Sequence, residues 1–418
     1  MEIKHIGILY VYGLSRHGSE TDQKKGQKSM ENFIYNIPTK IAFGTGQIRM
    51  LPEFVKEYGK KVLLVYGGGS IKRNGIYGEV VKLLSENGIF YTELSGVEPN
   101  PQIATVRRGI EICRKEQIEV LVPIGGGSTI DCAKAVAVGV FYEGDAWDIV
   151  KNNDLITDAL PIVSVLTVAA TGSEMDSSSV ISNAAECDKA EINADILYPK
   201  CSILDPSYTF TVPAYQTAAG VADIMSHIFE YYFSGMDIPD IQKDMMDAVL
   251  KVCVHYGPIA VKEPDNEKAR ANLMWAASWA INGFIACGNF SSWPCHAMEY
   301  QLTNQYHVTH GHGMAIIDAA WMEHIVSDRT IADFTRYADA VFGIEGKDPY
   351  ETARAAIEKT KAVYEEMGLT LTLRSIGASD PGGIPKMAEK AVTEFGLDDA
   401  GEMSLTISDA VKIYESCY

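Results

Sequence analysis

Two stretches of the chain share one local plan, and that plan limits the fold more than any other feature. "KVLLVYGGGS" (61–70) and "EVLVPIGGGSTIDCAKAVAVGV" (119–140) each run a continuous apolar segment into a glycine turn, with helical spacing beyond it. "LPIVSVLT" (160–167) and "KCSILDP" (200–206) are further unbroken apolar runs. A strand apolar on both faces must be covered on both faces, as in a parallel sheet sandwiched by helices. Strand–helix alternation of this kind predicts an α/β domain with a mostly parallel sheet over 30–208.

The pattern changes after "LDPSYTFTVP". In "YQTAAGVADIMSHIFEYYF" (215–233) and "EKARANLMWAASWAINGF" (267–284) apolar residues recur at helical spacing, and strand signals nearly vanish. The expectation is an all-helical domain over 209–418. A chain of 418 residues is too long for one ordinary core, which agrees with two domains. Residues 1–29 hold a short apolar stretch, Ile6–Leu14, and a polar tail. Patterned sequence starts only at Met30, so 1–29 is expected to be an extension outside the fold.

A net charge of −19 leaves no surplus of cations to neutralise phosphates, which excludes a nucleic-acid partner. No apolar run reaches the roughly 20 residues of a membrane helix, so no membrane partner is expected. The eight cysteines are scattered without a CxxC pair, which suits reduced thiols in a cytoplasmic enzyme.

Glycine lets a backbone approach a ligand closely, and the next helix offers unpaired N–H groups to a phosphate. Two such turns in one α/β half point to a dinucleotide, although neither is a GxGxxG or Walker A sequence. Asp131 and Lys134 follow the second turn; spacing alone reads them as an exposed i,i+3 pair. "TVAATGSEMD" (167–176) adds hydroxyls after a strand, where ligands settle in open α/β sheets. A site for NAD usually places a carboxylate on the ribose 2′-hydroxyl. Gly67 stands there instead, with Ser70, Lys72 and Arg73 close behind, which favours NADP(H) over NAD.

A metal site is spelled by side chains far apart in the chain. Asp223 and His227 lie four apart on a helical pattern and share one face. "CHAMEYQLTNQYHVTHGHGMA" (295–315) carries four of the nine histidines, His296, His307, His310 and His312. One aspartate and three histidines make an N₃O shell that suits Fe²⁺ or Zn²⁺ equally. His310 competes with His307, which sits in a loop pattern, and with His312, which lines the site in an alternative reading. His255 and His324 stand alone on helical stretches and read as structural or surface residues.

Taken in order, "NIPTKIAFGTG", "VYGGGSIKRNGIY", "LSGVEPNP", "IGGGSTIDCAKA", "ATGSEMD", "ILDPSYTFTVP", "AAGVADIMSH", "ARANLMWAASWAINGF" and "THGHGMA" resemble the iron-containing (group III) alcohol dehydrogenases, nearest the NADPH-dependent butanol dehydrogenase and broad aldehyde reductase branch. The resemblance implies a Rossmann-like α/β domain and an all-α C-terminal domain, a dehydroquinate synthase-like architecture with catalysis in the cleft. It implies Asp223, His227, His296 and His310 as metal ligands. It implies cofactor contacts from Gly67, Gly68, Ser70, Asn100, Gly126, Gly127, Ser128, Asp131, Thr167, Thr171 and Lys189, and a homodimer.

The chain departs from the family at one place. Many members carry a second histidine four residues after the one matching His296, and this chain has Tyr300. Proton delivery then falls to Tyr300, to His312 or to water. The reaction implied is reversible hydride transfer between NADP(H) and a small aldehyde or primary alcohol such as butanal and butanol. The alternatives are a glycerol-type polyol dehydrogenase, a cyclase resembling dehydroquinate synthase, and a catalytically impaired nucleotide-binding member.

Overall fold

The computed structural model describes residues 32–186 and 188–418, so the expected extension over 1–29 lies outside the described residues. Contacts divide the chain into two units. One comprises 36–217 and 262–282; the other comprises 218–261 and 283–418 with residues 32–35.

The first unit is built on six parallel strands, β1 (Lys40–Phe43), β2 (Lys61–Tyr66), β3 (Phe90–Ser95), β4 (Val120–Gly125), β5 (Val163–Leu166) and β8 (Cys201–Leu204), in the order β1-β8-β5-β4-β2-β3. The unbroken apolar runs have their physical explanation in β2. Leu63 and Val65 enter one core cluster, while Val62, Leu64 and Tyr66 enter the other. Helices α1 (Leu51–Lys56), α2 (Ser70–Arg73) and α3 (Ile76–Glu86) supply the second cluster through Phe54, Val55, Ile71, Val80 and Leu84. Helices α4 (Ile103–Glu116), α5 (Gly127–Gly139) and α6 (Ala146–Lys151) cover the other face through Val106, Ile110, Val136 and Trp147. Each buried Leu or Val side chain contributes about 1.5–3 kcal/mol, so both faces hold the sheet.

The chain leaves β2 toward β3 on one side and returns through α4 to β4 on the other. The switch point therefore lies between the carboxyl ends of β2 and β4, where open α/β sheets bind ligands. Both glycine turns leave from those two strand ends. An antiparallel hairpin, β6 (Ser178–Asn183) and β7 (Asp188–Asn193), follows β5, with Ser182 opposite Lys189.

Helix α9 (Glu267–Ile281) also belongs to this unit, packed on the short turns Ser173–Met175 and Pro206–Thr209. A linear boundary at 208/209 places that helix with the C-terminal half, whereas its contacts place it here. Helical periodicity reports that a segment is a helix and not which core it joins.

The second unit is all-helical: α7 (Ala214–Tyr232), α8 (Asp240–Lys262), α10 (Pro294–Tyr306), α11 (His310–Ile325), α12 (Ile331–Phe342), α13 (Pro349–Glu366), α14 (Ile384–Phe395) and α15 (Ile407–Ser416). Its helix starts are legible locally. Asp348 caps α13 through the amide of Tyr350 at 2.8 Å, with Pro349 at the first helical position, and Thr406 forms a capping box with Asp409 on α15. Every residue of α7 from Thr217 to its end is buried, as in a central helix apolar on all sides. Yet α7 carries Asp223, Ser226, His227 and Glu230 into that interior. Among the described residues no helix is long and apolar enough to cross a membrane.

Candidate metal centre and cofactor-binding turns

Burying polar side chains on a central helix costs free energy unless each finds a partner. Ser226 finds one, donating to Asp318 Oδ1 at 2.8 Å. Asp223 does not: its Oδ1 is buried and makes no hydrogen bond among the described residues, and His227 Nδ1 is orphaned in the same way. What surrounds Asp223 Oδ1 is a ring of nitrogen donors. His227 Nε2 lies 3.6 Å away and His310 Nε2 lies 3.4 Å away.

Three donor atoms, one each from Asp223, His296 and His310, lie within 4.8 Å of one another. His227 stands beside that set, its ring stacked on His296 with centroids 5.1 Å apart. Ligands on arms of about 2.1 Å at tetrahedral angles stand roughly 3.4 Å apart, so these spacings fit a small divalent ion better than a hydrogen bond. Burial pushes the His227 imidazole down to about 3 from its usual 6.5, and the Asp223 carboxylate opposes this. The ring is therefore neutral at pH 7, the form in which imidazole binds a metal.

Helix geometry brings these groups together. Asp223 and His227 lie one turn apart on α7, His296 lies in the first turn of α10 behind Pro294, and His310 opens α11. His307 is instead the exposed left-handed residue that ends α10, with φ 53°. His312 points elsewhere: its Nε2 meets the Thr370 carbonyl at 2.8 Å and the Thr370 hydroxyl at 3.2 Å. Tyr300 packs against both candidate ligand rings, with centroids 6.3 Å from His296 and 5.9 Å from His310. His255 is exposed on α8, and His324 lies 3.5 Å from Asp409.

Sequence reasoning missed two carboxylates. Glu230 and Glu299 are buried, and each meets the Nδ1 of one histidine: Glu230 that of His296 at 2.9 Å, Glu299 that of His310. A signal existed, because Glu230 extends the Asp223/His227 face by a further turn and Glu299 follows His296 by three residues. Trp293, also missed, holds a left-handed φ of 54° just before α10, and its buried indole N–H has no partner among the described residues. Its ring lies 4.9 Å from His296 and 5.9 Å from His227.

The residues expected to hold the dinucleotide all lie in the α/β unit. Gly67 and Gly68 occupy the turn after β2, and Ser70 begins α2. Gly126 precedes α5, while Gly127 and Ser128 form its first turn, so unpaired backbone N–H groups of a 13-residue helix face the end of β4. The Thr167 amide donates to the Gly125 carbonyl at 2.9 Å, tying the residues after β5 to the same place. Thr171 follows in that loop, its hydroxyl accepting from the Ser173 amide at 3.2 Å. Asn100 holds a left-handed φ of 58° in the loop before α4. Lys189 is buried on the hairpin.

Asp131 and Lys134 are not an exposed pair. Lys134 is fully buried and donates to Ser173 Oγ at 2.9 Å, to the Ser178 carbonyl at 2.8 Å and to Asp176. Asp131 accepts from Ser173 Oγ at 2.7 Å and the Val180 amide at 3.1 Å. Both side chains fasten α5 to the segment 173–180; their spacing is that of a surface pair, but the hairpin covers them.

Comparison with known proteins identifies the family. Residues 38–206 match the iron-containing alcohol dehydrogenase family, and residues 217–418 match the C-terminal part of the Fe-containing alcohol dehydrogenase family. The chain is 48% identical over 390 residues to NADH-dependent butanol dehydrogenase A of Clostridium acetobutylicum, covering 93% of this chain and 100% of that one. It is 35% identical over 393 residues to the NADPH-dependent aldehyde reductase YqhD of Escherichia coli, again over 93% and 100% of the two chains. The crystal structure of NADH-dependent butanol dehydrogenase A from Thermotoga maritima superposes with a TM-score of 0.87 at 39% identity, covering 94% of this chain and 100% of that chain. The chain belongs to the iron-containing alcohol dehydrogenase family.

Proposed function

We propose that the chain is a metal-dependent oxidoreductase interconverting small aldehydes and primary alcohols with NADP(H). The observation that carries this reading is the orphaned, buried Asp223 Oδ1 set 3.4–3.6 Å from two histidine nitrogens. Asp223, His227, His296 and His310 would hold a divalent ion, Fe²⁺ by the family description or Zn²⁺ by the same donor chemistry. Such an ion supplies Lewis acidity to the carbonyl oxygen, and the nicotinamide supplies the hydride. The buried side chains of Asp223, His227 and His296 would hold three of those donors at fixed spacing, with His310 partly exposed beside them. Tyr300, against the His296 and His310 rings, delivers the proton that the product oxygen needs. In the α/β unit, the first turn of α5 would hold the pyrophosphate on its unpaired N–H groups.

NADP(H) is favoured by the turn after β2. Gly67 and Gly68 place no carboxylate there, and a Cβ added at Gly68 would meet nothing within 4 Å, which leaves room for a 2′-phosphate. A second reading, NADH, is favoured by Lys72, whose ammonium is already taken by Glu93 at 3.2 Å and by the faces of Tyr66 and Tyr77. The relatives divide in the same way, the Clostridium acetobutylicum butanol dehydrogenase A being NADH-dependent and the Escherichia coli aldehyde reductase YqhD NADPH-dependent.

The test follows the absorbance of NADPH on butanal, with protein stripped of metal and reconstituted anaerobically with Fe²⁺ or Zn²⁺. Parallel assays use NADH, and glycerol in the oxidative direction with NADP⁺. Metal-dependent turnover with a higher kcat/KM for NADPH than NADH supports the proposal. Preference for NADH moves the cofactor to the second reading, and turnover of glycerol alone moves the chain to the polyol dehydrogenases. Metal uptake with no turnover on either substrate leaves a nucleotide-binding role.

A further inference from the structure

We propose that Glu230 and Glu299 are positioning residues that clamp the rings of His296 and His310 and thereby set how tightly the centre holds its metal; this rests on the metal-dependent reading above. The geometry is a relay across three helices. Glu230, on α7, meets His296 Nδ1 on α10 at 2.9 Å; Glu299, on α10, meets His310 Nδ1 on α11. Each helix thus supplies the carboxylate for the next helix's histidine.

Both carboxylates are themselves held. Glu230 Oε1 accepts the backbone N–H groups of Cys295 at 2.5 Å and His296 at 3.1 Å. These are orphan donors of the first turn of α10, so one side chain fixes both the helix end and the ring it carries. Glu299 Oε1 accepts from the Thr303 hydroxyl, one turn along α10. Room for Glu299 comes from Gly313 on α11, where an added Cβ would lie 2.8 Å from Glu299 Cγ and Oε1.

An ionised carboxylate is expensive to bury, so a carboxylate aimed at a ring nitrogen calls for a reason. Accepting from Nδ1–H fixes the tautomer and turns Nε2 toward the donor set, as His310 Nε2 at 3.4 Å from Asp223 Oδ1 already shows. It also raises the basicity of the nitrogen that would bind metal. His310 of the "THGHG" segment thereby acquires a partner in α10 that its own sequence does not reveal.

The test uses the full chain, stripped of metal and titrated with Zn²⁺ alone against a competing chelator. Glu230→Gln and Glu299→Gln keep size and a hydrogen-bond acceptor but lose the charge. Each is expected to weaken Zn²⁺ binding by about 10–100-fold, while the unfolding midpoint of the metal-free protein does not fall. Affinity within twofold of wild type in both variants overturns the proposal. A second measurement needs no variant: ¹⁵N-histidine NMR of the Zn²⁺-loaded wild-type protein should show His296 and His310 bound through Nε2 with Nδ1 protonated. Metal on Nδ1 of either ring overturns it. Asp223-dependent Zn²⁺ uptake without turnover defeats the functional reading alone. Metal-dependent turnover with unweakened Gln variants defeats the clamp alone.

Discussion

Gly311 on α11 stands against the main chain of α7: a Cβ at 311 would come within 1.9 Å of the Ala219 carbonyl oxygen. No flexible side chain can give way there, so Gly311→Ala must push α11 away from α7. His310, the preceding residue, would move with it, and its Nε2 would leave the position 3.4 Å from Asp223. Overpacking of this kind costs about 1–3 kcal/mol. The expected result is a lower unfolding midpoint together with a loss of bound metal after dialysis, read by calorimetry and elemental analysis. Wild-type metal content in a destabilised variant would show that α11 tilts without moving His310.

Lys134 is the cation of a buried network in the α/β unit, paired with Asp176 and bonded to Ser173 and the Ser178 carbonyl. Removing one partner of a buried pair leaves an uncompensated charge and typically costs about 3–5 kcal/mol. Lys134→Met should lower urea stability by roughly that amount, and adding Asp176→Asn should recover part of it. A double variant no better than the single one would show that the bonds to Ser173 and Ser178 matter more than the charge pair.

Glu174 is buried, accepts a hydrogen bond from Ser278, and is pushed up to about 7 by burial. Its folded pKa thus lies above the unfolded value near 4.5, so the folded state binds the extra proton between those pH values. The associated stability is fully present below about 4.5 and is lost as pH rises through 7, an effect on the order of 3 kcal/mol. Glu174→Gln keeps an acceptor for Ser278 and removes the titration. Unfolding midpoints recorded from pH 5 to 8 should fall less steeply in the variant than in the wild type. Parallel curves would mean that Glu174 stays ionised in the folded protein.

The α/β sheet was legible because β2 and β4 are apolar on both faces, and only a sheet covered on both sides can use such strands. Asp223 and His227 were legible because a four-residue spacing fixes two side chains on one helix face. Three other features were not. The hairpin β6–β7 is short and polar, and its burial of Lys134 depends on a tertiary contact. Helix α9 reads as a member of the C-terminal half because periodicity carries no address. Glu230 and Glu299 resemble ordinary helix-surface acids until α7, α10 and α11 are brought together, since nothing local tells a carboxylate facing solvent from one facing a ring nitrogen.

Proton delivery separates Tyr300 from His312. His312 is buried, its Nε2–H donates to the Thr370 carbonyl at 2.8 Å, and burial holds its pKa below the usual 6.5. That bond ties the ring to backbone, and Tyr300 is therefore the proton donor we propose. Tyr300 packs instead between His310 and Phe395, with ring centroids 5.9 and 5.7 Å away, which sets its ring beside a candidate ligand. Positioned proton donors contribute about 10²–10⁴ in rate. Tyr300→Phe should therefore lower kcat for aldehyde reduction by about 100-fold with little change in bound metal, and should abolish any solvent deuterium isotope effect that reports this proton. His312→Gln should keep kcat within about threefold, because glutamine can still donate to Thr370. Were His312→Gln to lose activity while Tyr300→Phe kept it, the relay would run through the imidazole, and Tyr300 would be left as packing beside the metal ligands.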